Sequence, residues 1–313
     1  MTTAERIRMM LTKDGKVVEA PKSYKTRTTC RACGDPGLET VLDLGNQYLP
    51  RFTKHIDLSL PMSPLVLTRC SCGLLQLKHT VDPDLVFREY WYQSSINQTM
   101  QDALTDVVKD AVQHHRDGRW VDIGANDGFL LSQVPQSFTR IACEPALNLA
   151  DKLRKHADLV VSNYFSWDIP EFQKADVITS CAMFYDLDEP RQFVRDIYKC
   201  LSPDGVWINQ LNDSPTMLDM NDFSAVCHEH LTYWDLPSLD KLYESCGLII
   251  TDVSHNDVNG GSMRVTARRF GKRADFLGAR SVSHKEAELF GKKAQKWKRN
   301  MTNLLAGLGS PVW

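Results

Sequence analysis

Residues 120–134 read WVDIGANDGFLLSQV, and this stretch decides how the chain folds. An apolar run passes through a glycine-containing turn into a second apolar run, which predicts a strand, a tight turn and a helix. Gly124 and Gly128 let the backbone approach a ligand closely, and the N-terminus of the following helix offers free N–H groups. The stretch therefore predicts a ligand site at the end of a strand.

A second short strand, RIACEPA at 140–146, ends in an acid, Glu144. An acid about twenty residues beyond a glycine turn can hold the two ribose hydroxyls of a nucleoside. The glycine spacing is G-x-x-x-G and not G-x-G-x-x-G, which disfavours an NAD-dependent dehydrogenase.

Strands and helices continue to alternate after this point. Strands are predicted at 175–183, 202–212 and 248–256, and helices at 189–201 and 238–247. This order predicts an α/β fold with a doubly wound parallel sheet, whose ligand lies beyond the carboxyl ends of the strands.

Two further signals concern the cofactor. The pattern D-I-G-x-N-D-G at 122–128 and the turn L-S-P-D-G-V-W at 201–207 are typical of class I, Rossmann-like methyltransferases that use S-adenosylmethionine. Asp122 and Asn126 thus join the glycines and Glu144 as predicted cofactor contacts. Phe184 ends a strand at the edge where ligands collect, so we expect it to contact the cofactor.

Composition excludes several other classes of protein. The 313 residues are 42% hydrophobic and 24% charged, as in an ordinary soluble globular protein. The formal charge of -2 gives no electrostatic reason to expect nucleic acid or an anionic membrane as partner. No run of about 18 apolar residues exists, and the N-terminus lacks a signal peptide. We therefore expect a cytoplasmic protein.

Nine cysteines without a signal sequence indicate reduced thiols that bind metal or lie buried. Cys30 and Cys33 form one close pair, and Cys70 and Cys72 form a second, a layout that is typical of a small zinc module. The alternatives are four buried cysteines, or a site in which a histidine, His55 or His79, replaces one thiolate. Four thiolates would leave no position open for water, so a structural zinc is expected.

Residues 223–234 read FSAVCHEHLTYW, with two histidines flanking one acid in an apolar run. His228, Glu229 and His230 could be an acid/base device, a metal site through the two histidines, or a structural cluster. In an extended segment the histidines would share one face and Glu229 would point to the other.

Three other segments carry candidate contacts. The aromatic run Y-W-Y, with Tyr90 and Tyr92, could cover the cofactor and touch a substrate, or pack in the core. Asn259 precedes a glycine pair, in a turn that could serve hairpin geometry or line a cleft. In the lysine-rich C-terminal helix, Leu289 and Trp297 can share an apolar face with Met301 and Leu304, which predicts docking through that face.

Several motifs occur in one order along the chain: C-R-A-C, L-D-L-G-N-Q-Y-L, Y-W-Y-Q-S-S, C-H-E-H-L-T-Y-W and N-D-V-N-G-G-S-M-R. In this order they resemble the zinc-containing, S-adenosylmethionine-dependent sugar C-methyltransferases, which modify nucleotide-linked deoxysugars. With that resemblance we divide the chain into a mobile N-terminal extension, a zinc-binding module, a methyltransferase domain and a shortened C-terminal segment, at 1–28, 29–80, 81–252 and 253–313.

The resemblance also implies a reaction. A base removes the proton beside the ketone of a nucleotide-linked 4-keto-deoxysugar, and the enolate attacks the methyl sulfonium. It assigns the base to His230, support to Glu229, and the enolate donor to Tyr185 or to the hydroxyl of Tyr90 or Tyr92. Histidine suits the base role because its ordinary pKa is about 6.5. His228 and Asn259, with the two tyrosines of the aromatic run, are the expected substrate contacts.

This chain departs from the family at three places. Cys227 stands where the better-understood sugar members have tyrosine, and Tyr185 stands where they have histidine. The family also continues into a further α/β unit beyond N-G-G-S, so the chain resembles a shortened member. The alternatives are therefore an O- or N-methyltransferase on a related sugar, or a cofactor-binding homologue without catalysis. In each case we expect a monomer or weak dimer.

Overall fold

The computed structural model describes residues 9–11, 17–19, 24–50, 61–276 and 278–307. Most of the predicted N-terminal extension, and His55, lie outside these residues. None of the described helices combines the length and the apolar character that a membrane span needs.

The N-terminal part consists of short antiparallel strands. They are β1 (Met9–Leu11), β2 (Val17–Glu19), β3 (Tyr24–Thr26), β4 (Leu38–Tyr48), β5 (Met62–Cys70), β6 (Leu75–Leu77) and β7 (His79–Val81). Strand β1 pairs with β2, β3 pairs with β7, and β4, β5 and β6 form one antiparallel sheet. The first cysteine pair lies in the loop before β4, and the second lies where β5 turns into β6. Because β4 pairs with β5, the two cysteine pairs lie close together.

Alternating helices and strands follow. The helices are α1 (Asp84–Phe87), α2 (Gln98–His114), α3 (Phe129–Gln133), α4 (Ala150–Leu153), α5 (Pro190–Cys200), α6 (Ser214–Met220), α7 (Leu236–Ser245) and α8 (His284–Gly307). The strands are β8 (Gly118–Ile123), β9 (Phe138–Cys143), β10 (Leu159–Val161), β11 (Ala175–Cys181), β12 (Leu201–Asn212), β13 (Thr232–Tyr233), β14 (Ile249–Asn256) and β15 (Ser262–Arg268).

The central sheet has seven strands in the order β10-β9-β8-β11-β12-β15-β14. The first five are parallel, as predicted, whereas β15 runs antiparallel to both of its neighbours. The predicted parallel sheet is therefore extended at this edge by antiparallel pairing. The turn that includes Asn259 reverses the chain between β14 and β15, which makes these two strands a hairpin.

Alternation along the strands produces two apolar faces. Trp120 and Val177 point to the face that α2, α3 and α4 cover, and Val121 and Ile178 point to the face that α5 and α7 cover. All four side chains are fully buried. The prediction of a doubly wound α/β sheet is confirmed by this two-sided packing.

The C-terminal helix α8 docks against the N-terminal module through a face that we did not predict. Its buried residues are Ala287, Phe290, Gly291 and Ala294. Leu289 and Trp297, from the predicted face, are 50% and 54% exposed. The small residues decide the contact, because a Cβ on Gly291 would lie only 2.0 Å from the carbonyl oxygen of Val41 in β4.

Candidate active site

One cleft of about 1590 Å³ lies beyond the carboxyl ends of β8, β9 and β11. It brings together all but two of the predicted cofactor, substrate and catalytic residues. Those that line it are Tyr90, Tyr92, Asp122, Gly124, Asn126, Glu144, Tyr185, His228, Glu229, His230 and Asn259. The remaining two are Gly128 and Phe184.

Glu144 and the glycine turn form the half of the cleft that we call the cofactor half. Glu144 accepts a hydrogen bond at each oxygen, from the backbone N–H groups of Asn126 and Ala146, both at 2.8 Å. Burial raises the pKa of Glu144, and these two hydrogen bonds oppose that rise. Each carboxylate oxygen retains a further lone pair for a ribose hydroxyl. Gly124 has a φ of +71°, and a Cβ there would lie only 3.1 Å from the side chain of Met183, so this position favours glycine.

Asp122 ends the neighbouring strand β8 and is buried. Its Oδ1 accepts a hydrogen bond of 2.7 Å from the hydroxyl of Thr179 in β11. Burial is the main cause that raises its pKa to about 7. With Glu144 it places two carboxyl groups at adjacent strand ends, which fits a ligand that carries hydroxyl groups and positive charge.

The segment after the aromatic run closes over the glycine turn. The Asn126 side chain accepts from the N–H of Ser94 at 2.9 Å and donates to the carbonyl of Tyr92 at 3.1 Å. Asp127 accepts from the N–H of Ser95 at 3.1 Å. Asn126 thus serves the cofactor half by holding this segment in place.

The other half of the cleft, the substrate half, contains the His-Glu-His motif. The motif lies in a bend after a short 3₁₀ turn (Phe223–Ala225) and not in an extended strand, so the alternating-face geometry does not apply. His230 Nδ1 lies 2.8 Å from the carbonyl oxygen of Ala225, and because a carbonyl only accepts, Nδ1 carries the proton. His230 Nε2 is then the basic atom.

Its neighbours have different partners. Buried His228 donates from Nε2 to the carbonyl of Ser63 at 3.0 Å, and burial lowers its pKa. Glu229 accepts from the hydroxyl of Tyr90 at 3.2 Å, and burial raises its pKa. The ring of Tyr185 meets the ring of His230 edge-on, with centroids 4.5 Å apart.

The four predicted zinc ligands converge. Their sulfur atoms all lie within 4.8 Å of one another, with Cys30 and Cys72 at 3.7 Å and Cys33 and Cys70 at 3.5 Å. A tetrahedral site with Zn–S bonds of about 2.3 Å needs sulfur separations of about 3.8 Å. The donor set therefore fits zinc. Within the described part of the chain, no histidine belongs to this or another converging group of ligands.

The sequence patterns did not predict a role for two further residues, Arg31 and Asp186. The guanidinium of Arg31, the residue after Cys30, is buried and donates to Thr80 at 2.7 Å and to Asp188, beyond β11, at 3.1 Å. Asp186 borders the cleft, and its Oδ1 is buried without a hydrogen-bond partner. An acid at the end of an apolar strand, as in A-M-F-Y-D-L, was the signal that could have found Asp186.

Phe184 and Gly128 lie away from the cleft lining. Phe184 is fully buried, with its ring 5.6 Å from those of Trp207 and Trp234, so its place is in the core. Gly128 is the N-cap of α3 at φ +85°, where a Cβ would approach His156 to 3.3 Å. The positions of both residues do not support the predicted cofactor contacts.

Comparison with known families settles the class of the fold. A family described as a methyltransferase domain matches residues 92–253, which is more than half of the chain. The chain belongs to the methyltransferase domain family. A second family, described as a zinc binding domain, matches residues 30–87 of this methyltransferase.

One relative with a known class of activity has a low sequence identity to this chain. The C-methyltransferase NovU of Streptomyces niveus is 27% identical over 254 residues, which cover 76% of this chain and 60% of NovU. The methyltransferase thus spans less than two thirds of that relative's length.

Two solved structures each match a little more than half of this chain. A S-adenosylmethionine-dependent methyltransferase from Clostridium acetobutylicum is 11% identical, with a TM-score of 0.45 over 55% of this chain and 92% of its own. The 1,6-didemethyltoxoflavin-N1-methyltransferase of Burkholderia thailandensis is 13% identical, with a TM-score of 0.45 over 56% of this chain and 80% of its own.

These findings confirm four predictions: the methyltransferase fold, the enzyme class, the zinc-binding module and S-adenosylmethionine as cofactor. The chain's own residues fit both groups. Four thiolates would hold the zinc, and Asp122, Glu144 and the backbone of the glycine turn would hold the cofactor.

Proposed function

We propose that this methyltransferase places a methyl group on a carbon beside a ketone, in a nucleotide-linked 4-keto-deoxysugar, with His230 as the base. One observation carries the proposal: His230 borders the same cleft as the cofactor residues, and its Nε2 is the basic atom. The name of NovU, a C-methyltransferase, supports transfer to carbon.

The roles of the residues follow from their contacts. His230 Nε2 takes the proton from the carbon beside the ketone, while Ala225 and the Tyr185 ring hold the imidazole in position. Glu229, oriented by Tyr90, offers its second oxygen to a substrate hydroxyl. S-adenosylmethionine supplies the methyl group that the substrate carbanion attacks. The Tyr90–Tyr92 segment covers the cleft and limits the access of water.

The nucleotide is assigned to the mouth of the cleft. Among the described residues that line the cleft, Lys25 is the only lysine or arginine, against seven aspartates and glutamates. A diphosphate inside the cleft would meet carboxyl groups at close range, which is unfavourable. The sugar therefore enters, and the diphosphate stays near Lys25.

The test is incubation of the protein with methyl-¹³C S-adenosylmethionine and a panel of nucleotide-linked 4-keto-deoxysugars, followed by NMR and mass spectrometry of the products. We expect the label on carbon. His230→Ala should lower the rate about 10²- to 10⁴-fold, the usual contribution of a general base, with cofactor affinity unchanged. His255→Ala, at an exposed histidine on β14, is the matched control.

Label on oxygen or nitrogen would contradict carbon transfer and favour an O- or N-methyltransferase. Cofactor binding without transfer to any member of the panel would contradict the proposed substrate. Proton exchange with D₂O at the carbon beside the ketone, measured without cofactor, tests the base separately from the methyl transfer.

A further inference from the structure

Asp186 occupies a costly position in the substrate half of the cleft. Its Oδ1 is inaccessible to water and has no hydrogen-bond partner, while the residue borders the cleft. An unsatisfied buried polar atom lowers folding stability, so such atoms are rare and call for a reason. None of the roles assigned above uses this carboxyl group.

The backbone fixes Asp186 close to the proposed base. It ends a 3₁₀ turn (Phe184–Asp186) directly after β11, and its N–H donates to the carbonyl of Met183 at 3.0 Å. The carbonyl of Tyr185 accepts from the N–H of Leu231 at 2.8 Å and from the hydroxyl of Thr232 at 3.1 Å. These bonds join the turn to the residues that follow His230, so Asp186 and the base move as one unit.

The surroundings of Asp186 favour its neutral form. Burial, which is the largest effect, raises its pKa well above the usual range for a carboxyl group. His230 opposes this rise, while Glu229 and the thiol of Cys227 add to it. A negative charge on Asp186 would also raise the pKa of three nearby phenols, those of Tyr90, Tyr185 and Tyr233. No described lysine or arginine in the cleft, apart from Lys25 on β3, is available to stabilise a carboxylate here.

We propose that Asp186 is a neutral carboxylic acid that donates a hydrogen bond to the substrate ketone oxygen as negative charge develops there. The inference rests on the proposed function and names the group that stabilises its intermediate. The hydroxyl of Tyr90, one of the predicted enolate donors, already donates to Glu229.

The electron and proton movements balance. His230 Nε2 takes the proton, the C–H electron pair forms a carbon–carbon double bond, and the carbonyl π pair moves onto oxygen. Asp186 donates a hydrogen bond to this oxygen but keeps its proton. The enolate carbon then bonds to the methyl group while the bond from that methyl to the sulfonium sulfur breaks, and the ketone forms again. The electron pair of the broken bond stays on sulfur, which leaves as a neutral thioether. A donor fixed in a dry site acts on the transition state more than on the ground state.

The first test does not depend on the substrate. Infrared difference spectra between the wild type and Asp186→Asn at neutral pH should show the loss of a protonated carboxyl C=O band, which shifts in D₂O. Asp158→Asn is the control, because Arg140 holds the pKa of Asp158 below its usual range, and a carboxylate band should be lost there. Loss of a carboxylate band in Asp186→Asn would overturn the inference.

The second test uses turnover. Asp186→Ala should lower kcat about 10²- to 10³-fold, as the loss of an oxyanion donor does. Asp186→Asn retains a donor and should lose less than about tenfold by the same reasoning. The wild-type rate should also fall at high pH as Asp186 loses its proton, and this limb should be absent in Asp186→Asn. Wild-type kcat in Asp186→Ala, or equal losses in both variants, would refute the donor role.

The two proposals can fail separately. If the wild type methylates no ketone in the panel, the proposed function fails, and the infrared spectra still decide whether Asp186 is protonated. If methyl transfer occurs and depends on His230 but not on Asp186, only the donor role is lost.

Discussion

The two halves of the cleft satisfy their polar groups in different ways. In the cofactor half, both oxygens of Glu144 accept backbone hydrogen bonds, and Asp122 accepts from Thr179. In the substrate half, Asp186 Oδ1 has no partner and His230 has a single partner, at Nδ1. In the cofactor half, fixed donors thus hold the two carboxyl groups that line the cleft, although Asp127 Oδ1 in the glycine turn has no partner. In the substrate half, His230 Nε2 and Asp186 remain free for the proton transfer and hydrogen bonding that catalysis requires.

Their construction differs as well. The cofactor half comes from adjacent parallel strands and the turns that follow them, whereas the substrate half joins distant segments. The N-terminal module supports the latter directly: Ser63 accepts from His228, the N–H of Leu77 donates to the carbonyl of Leu231, and Arg31 binds Asp188. The substrate half should therefore depend on the zinc module more than the cofactor half does.

Removal of zinc tests this dependence and should have the largest effect. Structural zinc binds small modules with about 10–16 kcal/mol, so chelation or Cys33→Ser should unfold the cysteine loops. Hydrogen exchange should then rise most at 184–189 and 227–234, and much less at 118–128. Cofactor affinity should persist after zinc is lost.

The control for this prediction is Cys246→Ser, at the cysteine that follows α7 and lies outside the sulfur cluster. It should change neither the zinc content nor the exchange pattern. An equal rise of exchange in both halves after chelation would show that the module supports the whole domain, and would remove the proposed distinction.

The pH dependence of stability tests the raised pKa values of buried Asp122 and half-buried Asp186. Below an unfolded pKa of about 3.9 both states are protonated, and a raised folded pKa carries no penalty. Above it, the unfolded state releases a proton that the folded state keeps, so stability falls by up to about 1.4 kcal/mol per pH unit. For Asp122 the fall ends near its folded pKa of about 7. For Asp186, whose pKa is raised chiefly by burial, stability also falls as the pH rises above the unfolded pKa.

The variants Asp122→Asn and Asp186→Asn should remove these penalties. Without cofactor, the gain in free energy of unfolding for Asp122→Asn should grow with pH and level off near neutrality at about 4 kcal/mol. The gain for Asp186→Asn should also grow with pH above the unfolded pKa. Urea unfolding from acid to mildly alkaline pH measures both. A gain for Asp186→Asn that does not change with pH would mean that folding leaves the pKa of this carboxyl group unchanged.

The comparison also explains what the sequence could reveal. The glycine turn and Glu144 were predictable, because strand, turn and helix patterns are local and a ribose acid follows at a known distance. The cysteine site was predictable from spacing. The role of His230 as a base could be predicted only from the family resemblance, since the motif alone allowed a base, a metal ligand or a structural cluster.

Other features depend on tertiary structure. The missing partner of Asp186 arises only when distant segments meet, and the antiparallel direction of β15 is not encoded in its apolar pattern. Helix α8 follows the same rule: the close approach of β4 selects Gly291 over the larger apolar side chains of Leu289 and Trp297. Hydrophobic periodicity indicates which helix positions are apolar, but it does not indicate where two backbones approach each other closely.

Within the cofactor half, Glu144→Gln should affect binding alone. The change removes the charge and places an amide nitrogen against a backbone N–H, of Asn126 or of Ala146. Hydrogen bonds to charged groups contribute about 1.5–3 kcal/mol, so cofactor affinity should fall about 10- to 100-fold. Calorimetry measures this, with the exposed Glu288→Gln as control. An unchanged affinity would remove Glu144 from the cofactor site.

The smallest effect is expected at Lys25, an exposed residue that lines the cleft. Lys25 is exposed, so its contact with a diphosphate is screened and contributes about 1 kcal/mol or less. Lys25→Ala should therefore raise KM for a nucleotide-linked ketosugar up to about fivefold, leave cofactor affinity unchanged, and weaken the dependence of KM on salt. Lys109→Ala, at an exposed lysine on α2, should change none of these values. A KM that Lys25→Ala leaves unchanged would mean that the diphosphate is recognised elsewhere or that the substrate carries none. If KM is unchanged, the charge of the cleft favours a substrate without a diphosphate. Seven carboxyl groups line the cleft, and they suit a neutral or cationic substrate better than an anionic one.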